Sequence, residues 1–174
     1  MTSEEYIQLK AFTRQDGALL GLWWAATFCT FAGQFSEPML SALSLLLIVM
    51  WPLFLGWRLK KFRDDAREGK LSFLRGWGYC VFSVFYASLV LAVVLYVFFA
   101  YIDNGELLNQ YANLLMSDEG KAAAEAYGMH KEMMDSIDMM RALSPIEIVY
   151  NFMTSVIMTG SLVGAAIAAV LRKN

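Results

Sequence analysis

The lone histidine, His130, stands in a run of soft side chains: Met129-His130-Lys131-Glu132-Met133-Met134, followed by Met139-Met140. Thioether and imidazole ligands together suit Cu(I), a soft ion. The spacing of Met133, Ile137 and Met140 also suits the apolar side of an amphipathic helix, where flexible methionine fills irregular gaps. That plainer reading is adopted, and no metal is assigned. The two cysteines, Cys29 and Cys80, would need alpha carbons within about 7 Å to pair. At 1.5 Å per helical residue their depths differ by roughly 10 Å, so both read as small buried residues. Asp64, Asp65 and Glu68 are the acids placed to serve a lipid-handling enzyme, but their basic neighbours make them solvated ion-pair partners. No Gly-rich phosphate loop, metalloprotease motif or Ser/His/Asp set is present. The expectation is therefore no catalytic residue, no cofactor and no enzymatic activity.

The elements that carry these residues are apolar. Of 174 residues, 58% are hydrophobic and 17% charged, and mean hydropathy is +0.47. A soluble domain runs about 45–50% apolar and about 25% charged. The net charge of −2 gives no electrostatic reason to bind nucleic acid. Four stretches free of charge stand out, at about residues 17–34, 38–57, 76–102 and 147–171 (the last from Ile148, after Glu147). Roughly 20 apolar residues in a helix cross a hydrocarbon core about 30 Å thick. The backbone in lipid must satisfy its own hydrogen bonds, so each stretch is expected to be a helix. The first is the shortest. Glu4 and Glu5 beside Lys10 and Arg14 make a poor signal-peptide start, so it is read as a retained span. No Asp, Glu, Lys, Arg or His falls inside the uncharged stretches. This argues against a proton-coupled transporter, an intramembrane protease and a charged-filter channel.

Eleven of the fourteen Lys and Arg residues lie in the N-terminal segment, in the basic loop 58–75 and at the C-terminus. The loop at 103–146, with Glu147 just beyond, carries nine carboxylates against Lys121, Lys131 and Arg141. Positive residues stay inside. The expected protein is all-α and integral to the membrane, with four transmembrane helices in an up-down bundle and both termini cytoplasmic. Trp57 and Trp77 flank the inner loop, and Tyr101 and Tyr150 the outer one, as interfacial aromatic belts do.

Local signals refine this. Thr2 with Glu5 has capping-box spacing, and Ser144-Pro145-Ile146-Glu147 is a strong helix start. Pro52 falls inside the second span and predicts a kink. The outer loop is too long to be bare. Leu107, Leu108, Tyr111, Leu114 and Leu115, then Met129, Met133, Ile137 and Met140, predict two short amphipathic helices broken near residues 117–120, on the outer membrane surface or capping the bundle.

Small residues recur every four positions: Gly17, Gly21 and Ala25 in the first span, Gly160, Gly164 and Ala168 in the fourth. Such ladders let membrane helices approach closely. First and last helices lie side by side in an up-down bundle. The expectation is that these two faces meet within one chain, with Gly17 near Ala168 or Arg172 and Gly21 near Gly164. A homodimer through Gly160 and Gly164 is the alternative. In the basic loop, Arg58, Lys60, Lys61 and Arg63 are candidates for contact with anionic lipid.

The pair Arg63-Asp64, then Gly69, Ser72-Phe73 and Gly76, the segment Tyr101-Ile102-Asp103, the long outer loop and the small-residue last span resemble an uncharacterised family of small four-span membrane proteins common in Bacteroidota, a domain of unknown function. The resemblance covers nearly the whole chain. It implies a four-span inner-membrane topology in a bacterial protein and nothing catalytic, and the family's genes, which often lie near one for a membrane glycosyltransferase, support a partner role. The expected role is an accessory or assembly subunit whose partners are the lipid bilayer and another membrane protein. The alternatives are a small transporter or channel, or a lipid-handling enzyme.

Overall fold

The computed structural model describes residues 3–173. It is all-α: among the described residues there are seven α-helices and one π-helical turn. The first helix, α1 (Ser3–Gly33), is followed by α2 (Met39–Ala66) and α3 (Phe73–Val97), which runs on through a π turn, Phe98–Ile102. Three short helices come next: α4 (Glu106–Met116), α5 (Asp118–Ala126) and α6 (His130–Arg141). The last is α7 (Pro145–Leu171). Among the described residues three helical segments are long and apolar enough to cross a membrane: Met39–Ala66, Phe73–Ile102 and Pro145–Leu171, of 28, 30 and 27 residues. These mark a membrane protein. The uncharged part of α1 begins only at Gly17, short of the roughly 20 residues a span needs.

The chain divides into two compact units, one running to Val93 and resuming at Phe152, the other Val94–Asn151. In the first unit α1 and α2 pack along their length. Phe12 meets Phe62 edge-on with ring centres 5.3 Å apart, Trp24 meets Trp51 at 5.5 Å, and Trp23 stacks on Phe54 at 5.4 Å. Trp23 Nε1 donates to the carbonyl of Leu47 at 3.1 Å. The helix continues through Pro52, which lacks the N–H that would bond the carbonyl of Ile48. The core of this unit lies on α3, where Tyr79, Cys80, Ser83, Val84, Ala87 and Ser88 are fully buried.

The basic segment departs from the expected loop. Helix α2 continues to Ala66, so Arg58, Lys60, Lys61 and Arg63 are helical. The turn that ends it has Glu68 and Gly69 at positive φ, 52° and 78°, a region that suits glycine. The carbonyl of Arg63 accepts from the amides of Arg67 and Gly69 at 3.2 and 3.0 Å. Leu71 and Lys173 then exchange both backbone hydrogen bonds, at 2.8 and 2.9 Å, tying the C-terminal end to the connector.

The second unit is built from local signals. Asp103 accepts from the amides of Gly105 at 3.1 Å and Leu107 at 2.8 Å, capping the start of α4. Ser117 breaks the chain as expected and caps α5 by accepting from Gly120 at 3.1 Å. A Cβ on Gly120 would lie 2.0 Å from the carbonyl oxygen of Leu114, so this tight turn requires glycine. Three helices form here rather than the expected two, because the Ala-rich stretch Asp118–Ala126 is itself helical. Ala112, Leu115, Ala124 and Ile137 make a small core with Tyr111 and Met134 packed against it. The Glu147 half of the Ser144–Glu147 box is formed: Glu147 Oε2 accepts from the amide and hydroxyl of Ser144, at 2.8 and 2.6 Å. The Thr2–Glu5 box involves Thr2, which lies outside the described residues.

Candidate functional site: a buried ion pair and a basic cleft

The small-residue ladders do not meet each other. Both press on α3. A Cβ on Gly17 would lie 2.6 Å from Tyr86 Cβ and 2.7 Å from the carbonyl oxygen of Ser83. On Gly21 it would lie 2.6 Å from Val90 Cβ. Gly160 seats against Val84 and Gly164 against Cys80, where an added Cβ would come within 2.7 and 2.6 Å of side-chain atoms. Ala168 continues this face, its Cβ placed 3.2 Å from a Cβ built on Gly76. Ala25 is half-buried on α1. The expected pairing of Gly21 with Gly164 is therefore corrected: α3 is the shared partner of both ladders. Gly160 and Gly164 are buried within the chain, so the surface considered for a homodimer is covered by α3.

The register explains the error. Gly17 lies level with Ser83 to Tyr86 on α3, and Val84 lies level with Gly160. Gly17 thus stands at the height of Gly160 rather than Ala168, an offset of roughly 12 Å at 1.5 Å per residue. Matching the ends of uncharged stretches assumes that a charge marks the edge of the packed region. Asp16 breaks that assumption.

Asp16 is 2% exposed. Arg58 Nε donates to its Oδ1 at 2.7 Å, and Arg58 Nη2 donates to the same oxygen. The Tyr79 hydroxyl, on α3, donates to Oδ2. Three helices thus converge on one carboxylate. The Arg58 side chain is 13% exposed, with its guanidinium also 5.4 Å from the ring centre of Trp57, and Phe62 stacks on Tyr79 at 4.9 Å. A buried carboxylate is tolerated only when paired and hydrogen-bonded, and both conditions are met. Arg58, expected to face lipid head groups, instead faces inward. Arg63 is also engaged: its Nε donates to Asp64 at 2.7 Å and its Nη1 to the carbonyl of Leu171 at 3.3 Å. Lys60 and Lys61 are exposed.

A second constellation lies where α2 ends and α3 begins. Glu5 of α1 takes one guanidinium on each oxygen: Arg67 Nη2 at 2.8 Å on Oε1 and Arg75 Nη2 at 3.0 Å on Oε2. These pairs border a cleft of about 460 Å³ whose walls also carry Glu68, Lys70, Ser72 and Lys173.

Neither constellation is among the sites expected from sequence, although a signal for the first exists. The buried positions of α1, Leu9, Thr13, Asp16, Gly17, Leu20, Gly21, Trp24 and Phe28, keep helical spacing straight through Asp16. For the cleft the sequence shows Arg67, Lys70 and Arg75 in the basic loop, but not that Glu5 of α1 and Lys173 join them. The cysteines are both free, with Cys80 buried as expected and Cys29 exposed instead. In the second unit Met129 and Met133 line a shallow groove with Tyr111, Leu115 and Ile137, and Met134 packs on the small core.

No curated protein and no solved structure matches this chain. A family model does, over residues 15–173, a range that takes in Asp16, Arg58, Tyr79 and the cleft residues other than Glu5. The chain belongs to the family described as protein of unknown function, DUF4199.

Proposed function

We propose that this chain is a non-catalytic accessory or assembly subunit of the bacterial cytoplasmic membrane, with four spans in an up-down bundle and both termini inside, binding another membrane protein and lipid. The observation that carries the reading is the state of Asp16. A carboxylate held by a guanidinium and a phenol inside packed helices is committed to holding the helices together, and is poorly placed to relay a proton or meet a substrate. That favours an architectural role over a transporter, a channel or an enzyme.

The packing of α1 supports the fourth span. Gly17 and Gly21 follow α3 in the same direction, from Ser83 to Val90, while Gly160 and Gly164 run against it, from Val84 back to Cys80. An α1 in contact with the interior of an apolar span shares its depth in the bilayer, and Arg58 neutralises the charge it carries there. Parallel α1 and α3 with an antiparallel α7 are what an up-down order requires. The Lys and Arg excess at residues 58–75 then sets both termini inside.

Reporter fusions after Asn104 and Asn174 test the topology: a periplasmic reporter active at the first and a cytoplasmic one at the second are expected. A cytoplasmic reporter active at Asn104 overturns it. Purification from native membranes after cross-linking tests the role. A stoichiometric membrane-protein partner is expected, and a chain recovered alone rejects the subunit reading.

A further inference from the structure

The cleft at the α2–α3 connector has the chemistry of an anion site. Arg67, Lys70, Arg75 and Lys173 face Glu5 and Glu68 across about 460 Å³, leaving two positive charges in excess. The arginines are positioned, each held by one oxygen of Glu5, with side chains 13% and 36% exposed. Lys70 and Lys173 are exposed and are brought beside each other by the Leu71–Lys173 backbone pair. Ser72 lies in the wall directly before the first turn of α3, where free backbone amides and the helix dipole favour negative charge. Arginine forks and lysine ammonium groups are the usual partners of phosphate.

The surface beyond the cleft indicates what would carry the phosphate. Phe73, Leu74 and Trp77, at the start of α3, are 38%, 72% and 39% exposed, and Phe73 and Trp77 stack at 6.3 Å. A charged cleft followed within one turn by exposed aromatic and aliphatic side chains suits a molecule with an anionic head and apolar chains. Trp at this level is typical of the bilayer interface.

We propose that this cleft binds the phosphate group of an anionic membrane lipid, with Lys70 and Lys173 supplying charge, Arg67 and Arg75 supplying directed hydrogen bonds, and the acyl chains lying along Phe73, Leu74 and Trp77. Glu5 is the internal competitor for the two guanidiniums. The proposal rests on the lipid-binding role above and places the cleft at the inner head-group level.

Native mass spectrometry of the full chain in neutral detergent tests it, by titration with phosphatidylglycerol, phosphatidylcholine and inorganic phosphate. Phosphatidylglycerol is expected to bind at least about tenfold tighter than phosphatidylcholine, which has no net charge. Lys70→Gln with Lys173→Gln should weaken it about thirtyfold, at roughly 1 kcal/mol for each of the two charges. Neither side chain is in an ion pair among the described residues. Glu5→Gln should strengthen binding severalfold, and Lys121→Gln with Lys131→Gln, exposed lysines that do not line the cleft, should leave it unchanged. Equal binding by the Lys70/Lys173 variant, or no preference between the two lipids, overturns the site. Inorganic phosphate displacing phosphatidylglycerol at equal concentration overturns the lipid assignment in favour of a free anion. Binding in detergent does not depend on orientation, so failure here rejects the cleft and leaves the topology standing. A reversed reporter pattern does the opposite.

Discussion

Asp16 in the long-helix unit finds its partners 42 and 63 residues away, on α2 and α3. Asp103, in the unit Val94–Asn151, finds its partners two and four residues away. Both carboxylates are buried, 2% and 7% exposed. The first is satisfied by tertiary structure and ties three helices together. The second is satisfied by the turn it starts and organises a single helix end. The packing follows the same division. Among the long helices, glycines let α1 and α7 approach α3 almost to backbone contact, whereas the short helices gather a few side chains, Ala112, Leu115, Ala124 and Ile137, into a local cluster. Loss of a distant partner should therefore be felt across the long helices, and loss of a local one only at its own turn.

The strongest test of that contrast is Asp16→Leu. It leaves the half-buried Arg58 guanidinium and the buried Tyr79 hydroxyl without their carboxylate, a loss expected to cost about 3 kcal/mol, read as the midpoint of unfolding in detergent by denaturant or heat. The double variant Asp16→Leu with Arg58→Leu removes both charges and should regain at least half of that loss, because apolar replacement of a whole buried pair is often close to neutral. A double variant no better than the single one would mean that the pair adds stability beyond its own neutralisation.

Next in size is Gly164→Leu. Its new side chain has Cys80 Cβ 2.6 Å from where its own Cβ must go, and overpacking of this kind costs about 1–3 kcal/mol. Ala166→Leu, on an exposed position of the same helix, should stay within about 0.5 kcal/mol. Equal effects from the two would contradict the role of α3 as the common partner.

Asp103→Ala should cost about 1 kcal/mol, as loss of a helix cap does. Amide hydrogen exchange should quicken over the first turns of α4 and stay unchanged at Tyr79 to Ala87. A small effect of opposite sign is expected at Gly78, where an added Cβ meets nothing within 4 Å. Gly78→Ala should raise stability slightly, by about 0.5–1 kcal/mol, through helix propensity alone.

Much of this fold was legible from residue types and spacing. Apolar length alone announced the helices, because a backbone without water must close its own hydrogen bonds. The Ser144–Glu147 box and the break at Ser117 were readable because caps act over three or four residues. The small-residue ladders were visible too, as faces that must press on something. What they press on was not, since Gly21 and Gly164 carry no information about which of several helices fills the space they leave. Asp16 was hidden for the complementary reason. A charge beside an apolar run reads as its boundary when its neighbours in sequence are all that is seen. Only folding brings Arg58 and Tyr79 within hydrogen-bonding distance, so that the ion pair lies inside the packed helices and shifts α1 by two turns against the expected register. The cleft is a tertiary product in the same sense. Its cations were visible along the chain as topology signals, and the return of Lys173 to Leu71, with Glu5 between two arginines, made them one site.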